Sequence, residues 1–335
     1  MKRGHTTSEQ FVVPKRRLHV VAAVIYNGDD RVFLSRRPSY VDQGGLWEFP
    51  GGKLHAHETS LEALKRELQE ELGIQVHRAS PLIKVTHEYS DKRILLDVWE
   101  VRDFSGDPYG AEGQVVRWVP HVELARYHFP SANDAVVKAV MLPHALMVTE
   151  DEKDDARFRE RFEASLAEHS PELVRLRASS LSADEYQARV PVAAELAANA
   201  GAKLVIGHHL CDIEALSTLV EQHNLAGVQL TEAQLLGCSQ RVLPANRWQG
   251  ASAHSSAALE HAEAIECDFA VLGTVLPSAS HPDADAIYWN GLQRRLDDIN
   301  IPVFAIGGMA LNDIDRARAI GAQGIAAISA FLPAQ

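Results

Sequence analysis

Residues 52–74 read GKLHAHETSLEALKRELQEELGI. Thr59 and Glu62 form a capping box and Gly73 is a C-terminal stop, so the spacing predicts a helix over 59–72. Leu61, Leu64, Leu68 and Leu72 make one apolar stripe along it. Glu67, Glu70 and Glu71 stand at i, i+3 and i+4 and share a second face, roughly 110° around the axis from the leucines. Three carboxylates so close repel one another and raise each other's pKa. A hard divalent cation removes that cost, and Mg²⁺ takes a few carboxylate oxygens together with waters and substrate phosphates. The face therefore predicts a metal–polyphosphate site rather than the solvated acidic surface that most charge runs are.

Working outward, residues 18–26 (LHVVAAVIY) read as a buried strand. Asn27-Gly28-Asp29-Asp30 is turn chemistry and RVFLSRR follows, which predicts a hairpin. LWEF at 46–49 is short and extended, and Pro50-Gly51-Gly52 ends it. Strands are expected near 81–89, 93–102 and 114–119, and a last helix near 131–141. This order gives an α+β unit with a mixed sheet and flanking helices. Beyond residue 142 the rhythm changes. Eight short apolar runs, at 145–149, 173–178, 203–207, 226–230, 248–252, 269–273, 303–308 and 324–329, are separated by helical or loop segments. Uninterrupted apolar strands with crossover helices predict an α/β barrel of the (βα)8, TIM type. The expected domains are thus 18–142 and 143–335, preceded by a basic, loosely ordered terminus at 1–17.

Charge divides along the same line. Residues 1–142 hold 19 basic and 19 acidic side chains, so the whole net charge of −12 falls in the second half. That acidic half is a poor partner for nucleic acid, which calls for a basic face. Hydrophobic content of 46% and the lack of any membrane-length apolar run or charged-then-apolar leader fit a soluble protein. The three cysteines, Cys211, Cys238 and Cys267, form no pair motif, which suits a reducing, cytoplasmic setting.

The run Gly52-x5-Glu58-x7-Arg66-Glu67-Leu68-x-Glu70-Glu71-x-Gly73-Ile74 fills every fixed position of the Nudix box. Over 18–141 the chain resembles the Nudix hydrolases of the MutT type, which remove 8-oxo-dGTP from the nucleotide pool. FLSRR (33–37), LWEFPGGK (46–53), YGAEGQ (109–114) and FPSAN (129–133) extend the likeness. The resemblance implies that Glu67, Glu70 and Glu71 bind Mg²⁺ (Mn²⁺ as a substitute), joined by the carbonyl of Gly51 and by Glu112. It implies that Arg66 orients the glutamates, that Glu58 is structural, and that Glu67 takes a proton from water attacking the β-phosphorus. Asn133 would read the base, its amide offering donor and acceptor together. Arg37, Glu48, Phe49 and Lys53 would line the nucleotide. Lys92 stands where the family has an arginine, which replaces a planar fork with a point charge. The products would be a nucleoside monophosphate and pyrophosphate. A Nudix hydrolase of other triphosphates is the alternative.

Residues 143–335 resemble the thiamine-phosphate synthase and thiazole tautomerase family through HALMVTE (144–150), LVRLRAS (173–179), GASAHS (250–255), DFAVLGTVLPS (268–278), VFAIGGM (303–309) and GIAAIS (324–329). The resemblance implies that Gly307, Gly308 and Ser329 hold the phosphate of a small ligand. Departures from the family argue against a working synthase. Gly207-His208-His209 stands where the synthase has Asn-Asp-Arg, LTEAQ (230–234) lacks the metal-binding aspartate, Ala178-Ser179 replaces Glu-Lys, and Ser278-Ala279-Ser280 replaces a threonine-rich phosphate loop. A ligand-binding barrel, a partner or oligomerisation module, or a tautomerase-like remnant using His254 remain open. His208, His209 and Cys211 lack the paired spacing of a zinc site. His55 and His57 occupy variable, solvent-facing positions of the box.

Overall fold

The computed structural model describes residues 16–89, 92–277 and 285–333. The first part contains β1 (Arg16–Ile25), β2 (Arg31–Arg36), β3 (Trp47–Glu48), α1 (Ser60–Leu72), β4 (Gln75–Glu88), β5 (Lys92–Ser105), β6 (Val116–Pro120) and α2 (Asp134–Met141). Its strands form two three-stranded sheets, β1-β5-β4 and β3-β2-β6. The apolar run in β1 serves two cores at once. Val21, Ala23 and Ile25 pack with α1, while Ala22, Val24 and Tyr26 pack with α2. A strand buried on both faces needs no polar alternation.

Two expectations are corrected here. β1 and β2 do not form a hairpin ladder; they belong to different sheets and share only the bridge Tyr26–Val32. The turn itself forms, with Asn27 Oδ1 accepting from the amides of Asp29 and Arg31 at 3.0 Å each. β1 instead pairs in parallel with β5 over ten residues, a partner that local turn chemistry cannot reveal. The same ladder draws Arg16 and Arg17, assigned above to the loose terminus, into β1 opposite Lys92 and Arg93.

The second part closes into an eight-stranded parallel barrel. Its strands are β7 (Ala145–Val148), β8 (Leu173–Leu176), β9 (Lys203–Ile206), β10 (Gly227–Leu230), β11 (Trp248–Ala253), β12 (Phe269–Leu272), β13 (Val303–Ile306) and β14 (Gly324–Ala327). Around them run α3 (Asp155–His169), α4 (Ala183–Asn199), α5 (Ile213–Gln222), α6 (Glu232–Gly237), α7 (Ser256–Ala264), α8 (Tyr288–Leu296) and α9 (Ile314–Ala319). Leu146, Val148, Leu173, Val205, Phe269, Val271 and Phe304 form one cluster, while Met147, Val174, Leu204 and Ala270 join the larger cluster with the helices. This alternation separates a filled interior from an outer ring. Ser278-Ala279-Ser280 lies outside the described residues. No helix among the described residues is long and apolar enough to cross a membrane.

The two parts are joined by polar contacts. Glu100 accepts hydrogen bonds from Arg318 (2.6 Å), from His144 (3.2 Å) and from Arg102. The edge strand β4 is covered where Thr86 donates its amide to Asn300 Oδ1 at 2.6 Å. Gln323 donates to the carbonyls of Ala139, Leu142 and Pro143. Burial alone would raise the Glu100 carboxyl, but the hydrogen bonds from His144 and Arg102 and the charge of Arg318 hold it down at about 2. A depressed carboxyl stabilises the fold above its usual 4.5 and loses that contribution as pH falls towards 2. Denaturation followed at pH 2–6 should therefore show a loss of stability in the wild type that Glu100→Gln lacks. Glu100→Ala, which strands the Arg318 guanidinium, should cost roughly 3–5 kcal/mol near neutral pH.

Candidate active site

Helix α1 is fixed at both ends by the groups its sequence supplies. The Thr59 hydroxyl accepts from the Glu62 amide, and the Glu62 carboxylate accepts from the Thr59 amide. Gly73 closes the helix at φ 70°. Leu64, Leu68 and Leu72 are fully buried against β1 and β2, each side chain contributing roughly 1.5–3 kcal/mol. Leu61 is only partly buried. Opposite the helix, Pro50–Gly52 runs along β1, with Ala23 donating to Pro50 O and Val21 to Gly52 O, both at 2.8 Å. Gly51 is at φ 150°, where a Cβ would lie 2.1 Å from Val21 O. A Cβ on Gly52 would lie 2.2 Å from the Glu67 carboxyl carbon. The two glycines therefore let backbone and carboxylates meet without side chains between them.

The carboxylates do not share one direction. Glu67 accepts from Arg66 at 2.8 Å and is largely buried. Glu71 takes the Gly51 amide at 3.3 Å. Glu70 reaches Arg66 at 3.4 Å but stays 60% exposed. On the shared face the three span ~100° of arc, Glu71 ~40° to one side of Glu67 and Glu70 ~60° to the other, and Glu70 is the one left exposed. The crowding falls on Glu71. Burial first, then the charges of Glu67, Glu112 and Glu48, push its carboxyl up to about 8. Glu48, read from sequence as a nucleotide contact, thus also contributes to the acidic cluster. Glu112 sits in a loop tied to the end of α1, where Ala111 and the Gln114 side chain donate to Glu71 O at 2.9 and 3.1 Å.

Arg66 is the hub of this wall. It donates to Glu58 through Nε (2.7 Å) and Nη2 (2.9 Å) and to Lys53 O at 3.1 Å. These bonds, with the His55 amide, hold the Glu58 carboxyl at about 2. His55 and His57 are exposed, as the sequence predicts. Among the described residues no three His, Cys, Asp or Glu side chains form a ready cation cage. The donor set still fits Mg²⁺, which takes most of its shell from water and phosphate. Excess negative charge that raises one carboxyl so far is the kind a divalent cation relieves.

Beside the cluster, Arg37 pairs with Glu48 and also donates to Asp42 O. Phe49 stacks on Phe129 at 5.3 Å, and Trp47 meets Tyr127 edge-on at 5.6 Å. Asn133 is 7% exposed and occupies the N-cap position of α2, yet its side chain makes no capping hydrogen bond. Capping would have been the ordinary explanation for an asparagine there. Lys92 pairs with Asp42 at 3.2 Å and lies over the Tyr89 ring. Lys53 is exposed on the loop before α1. Sequence reasoning missed the aromatic partners Phe129, Tyr127 and Tyr89; their signal was a set of rings flanking FPSAN and the β4–β5 connection.

At the C-terminal end of the barrel, Gly307 (φ 100°) and Gly308 (φ 64°) approach Thr274 and Pro277 closely. Ser329 opens a short 3₁₀ turn after β14. His254 contacts Glu232 at 2.5 Å and is exposed. His208 is buried, stacked on Tyr186 at 4.5 Å and bonded to Ala178 O at 3.1 Å. That makes it a packed histidine. Arg175 on β8 was not singled out from sequence. The residue is only partly buried, but its Nε is buried without a hydrogen-bond partner, and desolvation lowers its pKa to about 10.

Comparison with known proteins agrees with both halves. Residues 21–139 match the NUDIX domain family, and residues 145–331 match the thiamine monophosphate synthase family. An 8-oxo-dGTP diphosphatase of Escherichia coli (strain K12) is 37% identical over 122 residues, spanning 36% of this chain and 95% of that protein. A CTP pyrophosphohydrolase of the same organism is 38% identical over 124 residues, or 37% and 91%. A thiamine-phosphate synthase of Caldivirga maquilingensis is 37% identical over 86 residues, which span 26% of this chain and 42% of that protein. The chain belongs to the Nudix hydrolases of the MutT type, enzymes acting on phosphoric anhydrides, and through its barrel to the thiamine monophosphate synthase family.

Proposed function

We propose that the Nudix domain, residues 18–142, hydrolyses 8-oxo-dGTP to 8-oxo-dGMP and pyrophosphate with Mg²⁺, Mn²⁺ serving as a substitute. The observation that carries this reading is the placement of Glu67 and Glu71 against the backbone of Gly52 and Gly51, where burial and then neighbouring charge push the Glu71 carboxyl up to about 8. Glu67, Glu71, Glu112 and the Gly51 carbonyl would hold the cation, with Glu70 at its outer side. The bound cation supplies charge neutralisation for the phosphates and the transferred group. Glu67, held in place by Arg66, accepts the proton of the attacking water. Phe49 and Phe129 offer an apolar wall for a base, and Asn133 offers donor and acceptor to its edge. Arg37, Glu48, Lys53 and Lys92 complete the nucleotide surface.

A second reading concerns the barrel, residues 143–335. A guanidinium whose buried Nε lacks a partner favours an anionic group nearby. Arg175 therefore supports a phosphorylated small ligand held with Gly307, Gly308 and Ser329. The exposed pair His254–Glu232 leaves room for a tautomerase-like proton transfer at the same end.

Three measurements test these readings. A panel of triphosphates with Mg²⁺ should show preference for 8-oxo-dGTP, and Asn133→Ala should erode it. Equal turnover of dGTP and 8-oxo-dGTP would remove the specific substrate, and faster turnover of CTP would move the activity towards that of the CTP-specific relative. Glu67→Gln should lower kcat by roughly 10²–10⁴ with the fold intact; near-normal turnover in both Glu67→Gln and Glu71→Gln would refute the assignment. In the metal-free protein the raised Glu71 pKa gives stability that is present below 4.5 and lost as pH rises through about 8. Melting in chelator should therefore fall across that window, and Mg²⁺ should restore it at the alkaline end.

A further inference from the structure

The sheet β1-β5-β4 carries a second polar constellation, away from α1's carboxylates. In β5, Arg93, Leu95, Asp97 and Trp99 alternate and so point to one face. The parallel register sets Arg17 opposite Arg93 and His19 opposite Leu95, adding both to that face. The barrel meets this face with the end of α8, the segment 297–301 and the turn after α9. Between the two parts lies a cleft of about 820 Å³. That volume is in the range of small-molecule sites, which favour the boundary between domains.

The cleft is not simply a gap between apolar surfaces. Its walls are apolar at Ile83, Leu95, Leu296 and Ile299 and charged at Arg17, Lys84 and Arg93, and three of its polar side chains carry buried atoms without a hydrogen-bond partner. Asp97 is 2% exposed and its Oδ1 has no hydrogen-bond partner. Trp99 Nε1 and His19 Nε2 are likewise buried and unpartnered. His19 Nε2 lies 3.5 Å from Asp97 Oδ2, an ion pair when the imidazole is protonated, and the contact leaves Nε2 and Asp97 Oδ1 without a hydrogen bond. A buried carboxylate oxygen without a donor is costly, so such groups are normally paired. Arg93 does not serve it, being taken by Asp298 at 2.9 Å and by Glu88.

We propose that this interdomain cleft binds a planar nitrogen heterocycle bearing an exocyclic amino group. The amino group donates to Asp97 Oδ1, and a ring nitrogen or carbonyl of the same heterocycle accepts from Trp99 Nε1. Asp97 asks for a donor and Trp99 for an acceptor, and both stand on one face two residues apart. The ring lies against Leu95 and Ile299. A nucleoside base and a free aminopyrimidine share this chemistry. Because strands and helices of both parts form the walls, occupancy of the cleft would tie them together.

The test uses the full chain without added metal. Cytidine, adenosine and 4-aminopyrimidine are titrated by calorimetry, with uridine and inosine as ligands lacking the amine. Binding is expected for the amino compounds and not for uridine or inosine. Nucleosides binding while 4-aminopyrimidine does not identifies a nucleoside as the source; the reverse identifies a free pyrimidine. Asp97→Asn should weaken binding about tenfold or more, as loss of a charge-assisted hydrogen bond does. Its triphosphate hydrolysis should be unchanged, which separates this cleft from the hydrolytic site. Asn133→Ala should leave the binding intact. Trp99→Phe, which keeps the ring and removes the donor, should weaken binding independently. Equal binding by Asp97→Asn and wild type, loss of binding in Asn133→Ala, or no binding by any amino compound would overturn the proposal.

Discussion

The first domain is organised around like charges held closer than they would stand in water. Glu67 and Glu71 stand against Gly52 and Gly51, and burial, with the charges of Glu67, Glu112 and Glu48, pushes the Glu71 carboxyl up. The arrangement persists because other interactions fix the parts that carry the charge. Buried leucines anchor α1 to β1 and β2, the capping box and Gly73 define its length, and β1 holds the glycine loop in register. Arg66 is a counterweight inside the wall, bonded to Glu58 and to Glu67 but not to Glu71, where the charge is most crowded. The fold thus leaves negative charge unbalanced at one place and balanced at the next.

Much of this was legible in residue order, for a physical reason. Helix caps, leucine spacing and the glutamate triplet are local features, and α1 falls within one residue of its expected span. The eight barrel strands were equally visible, because a strand buried on both sides is an apolar run whatever its neighbours. What the sequence did not reveal was pairing at a distance. The Asn27–Asp30 turn suggested a hairpin, yet β1 prefers a parallel partner some seventy residues on. The same limit applies at the site. Spacing placed three glutamates on one flank, but which of them face the glycine loop depends on where that loop packs, and Glu70 turns away. Glu48 joined the cluster from a two-residue strand that no helical pattern could connect to it.

The union of the two parts follows a different rule from either core. Glu100, Arg318, His144, Thr86, Asn300 and Gln323 exchange hydrogen bonds across it, although Arg318 Nε and Gln323 Oε1 stay without a partner. Edge strand β4 would be open to pairing with another chain if the barrel did not cover it. An interface of this type gives little net energy per ion pair but is specific in geometry, since each lost partner leaves a buried charge behind. It therefore fixes orientation more than it adds stability.

That distinction bears on why a Nudix hydrolase carries a barrel. If the barrel merely shielded β4, the contacting faces could be apolar and flush, and the buried polar groups would all be matched. Arg318 Nε and Gln323 Oε1 stay unmatched on the Glu100 side, and His19 Nε2, Asp97 Oδ1 and Trp99 Nε1 on the other. One interface thus contains a hydrogen-bonded latch and, on the same sheet, a cleft with three unpartnered polar atoms. A latch that sets geometry beside a cleft that lacks partners is the arrangement in which a small molecule can add to the attachment of two domains. Such a molecule would stabilise the joined form by its binding free energy alone. The box glutamates on α1 need not move for that to happen, although the glycine loop they face is bonded to β1 next to His19. In this view the barrel's interior and the cleft are separate opportunities for ligands: the first calls for an anion at Arg175, the second for a donor at Asp97.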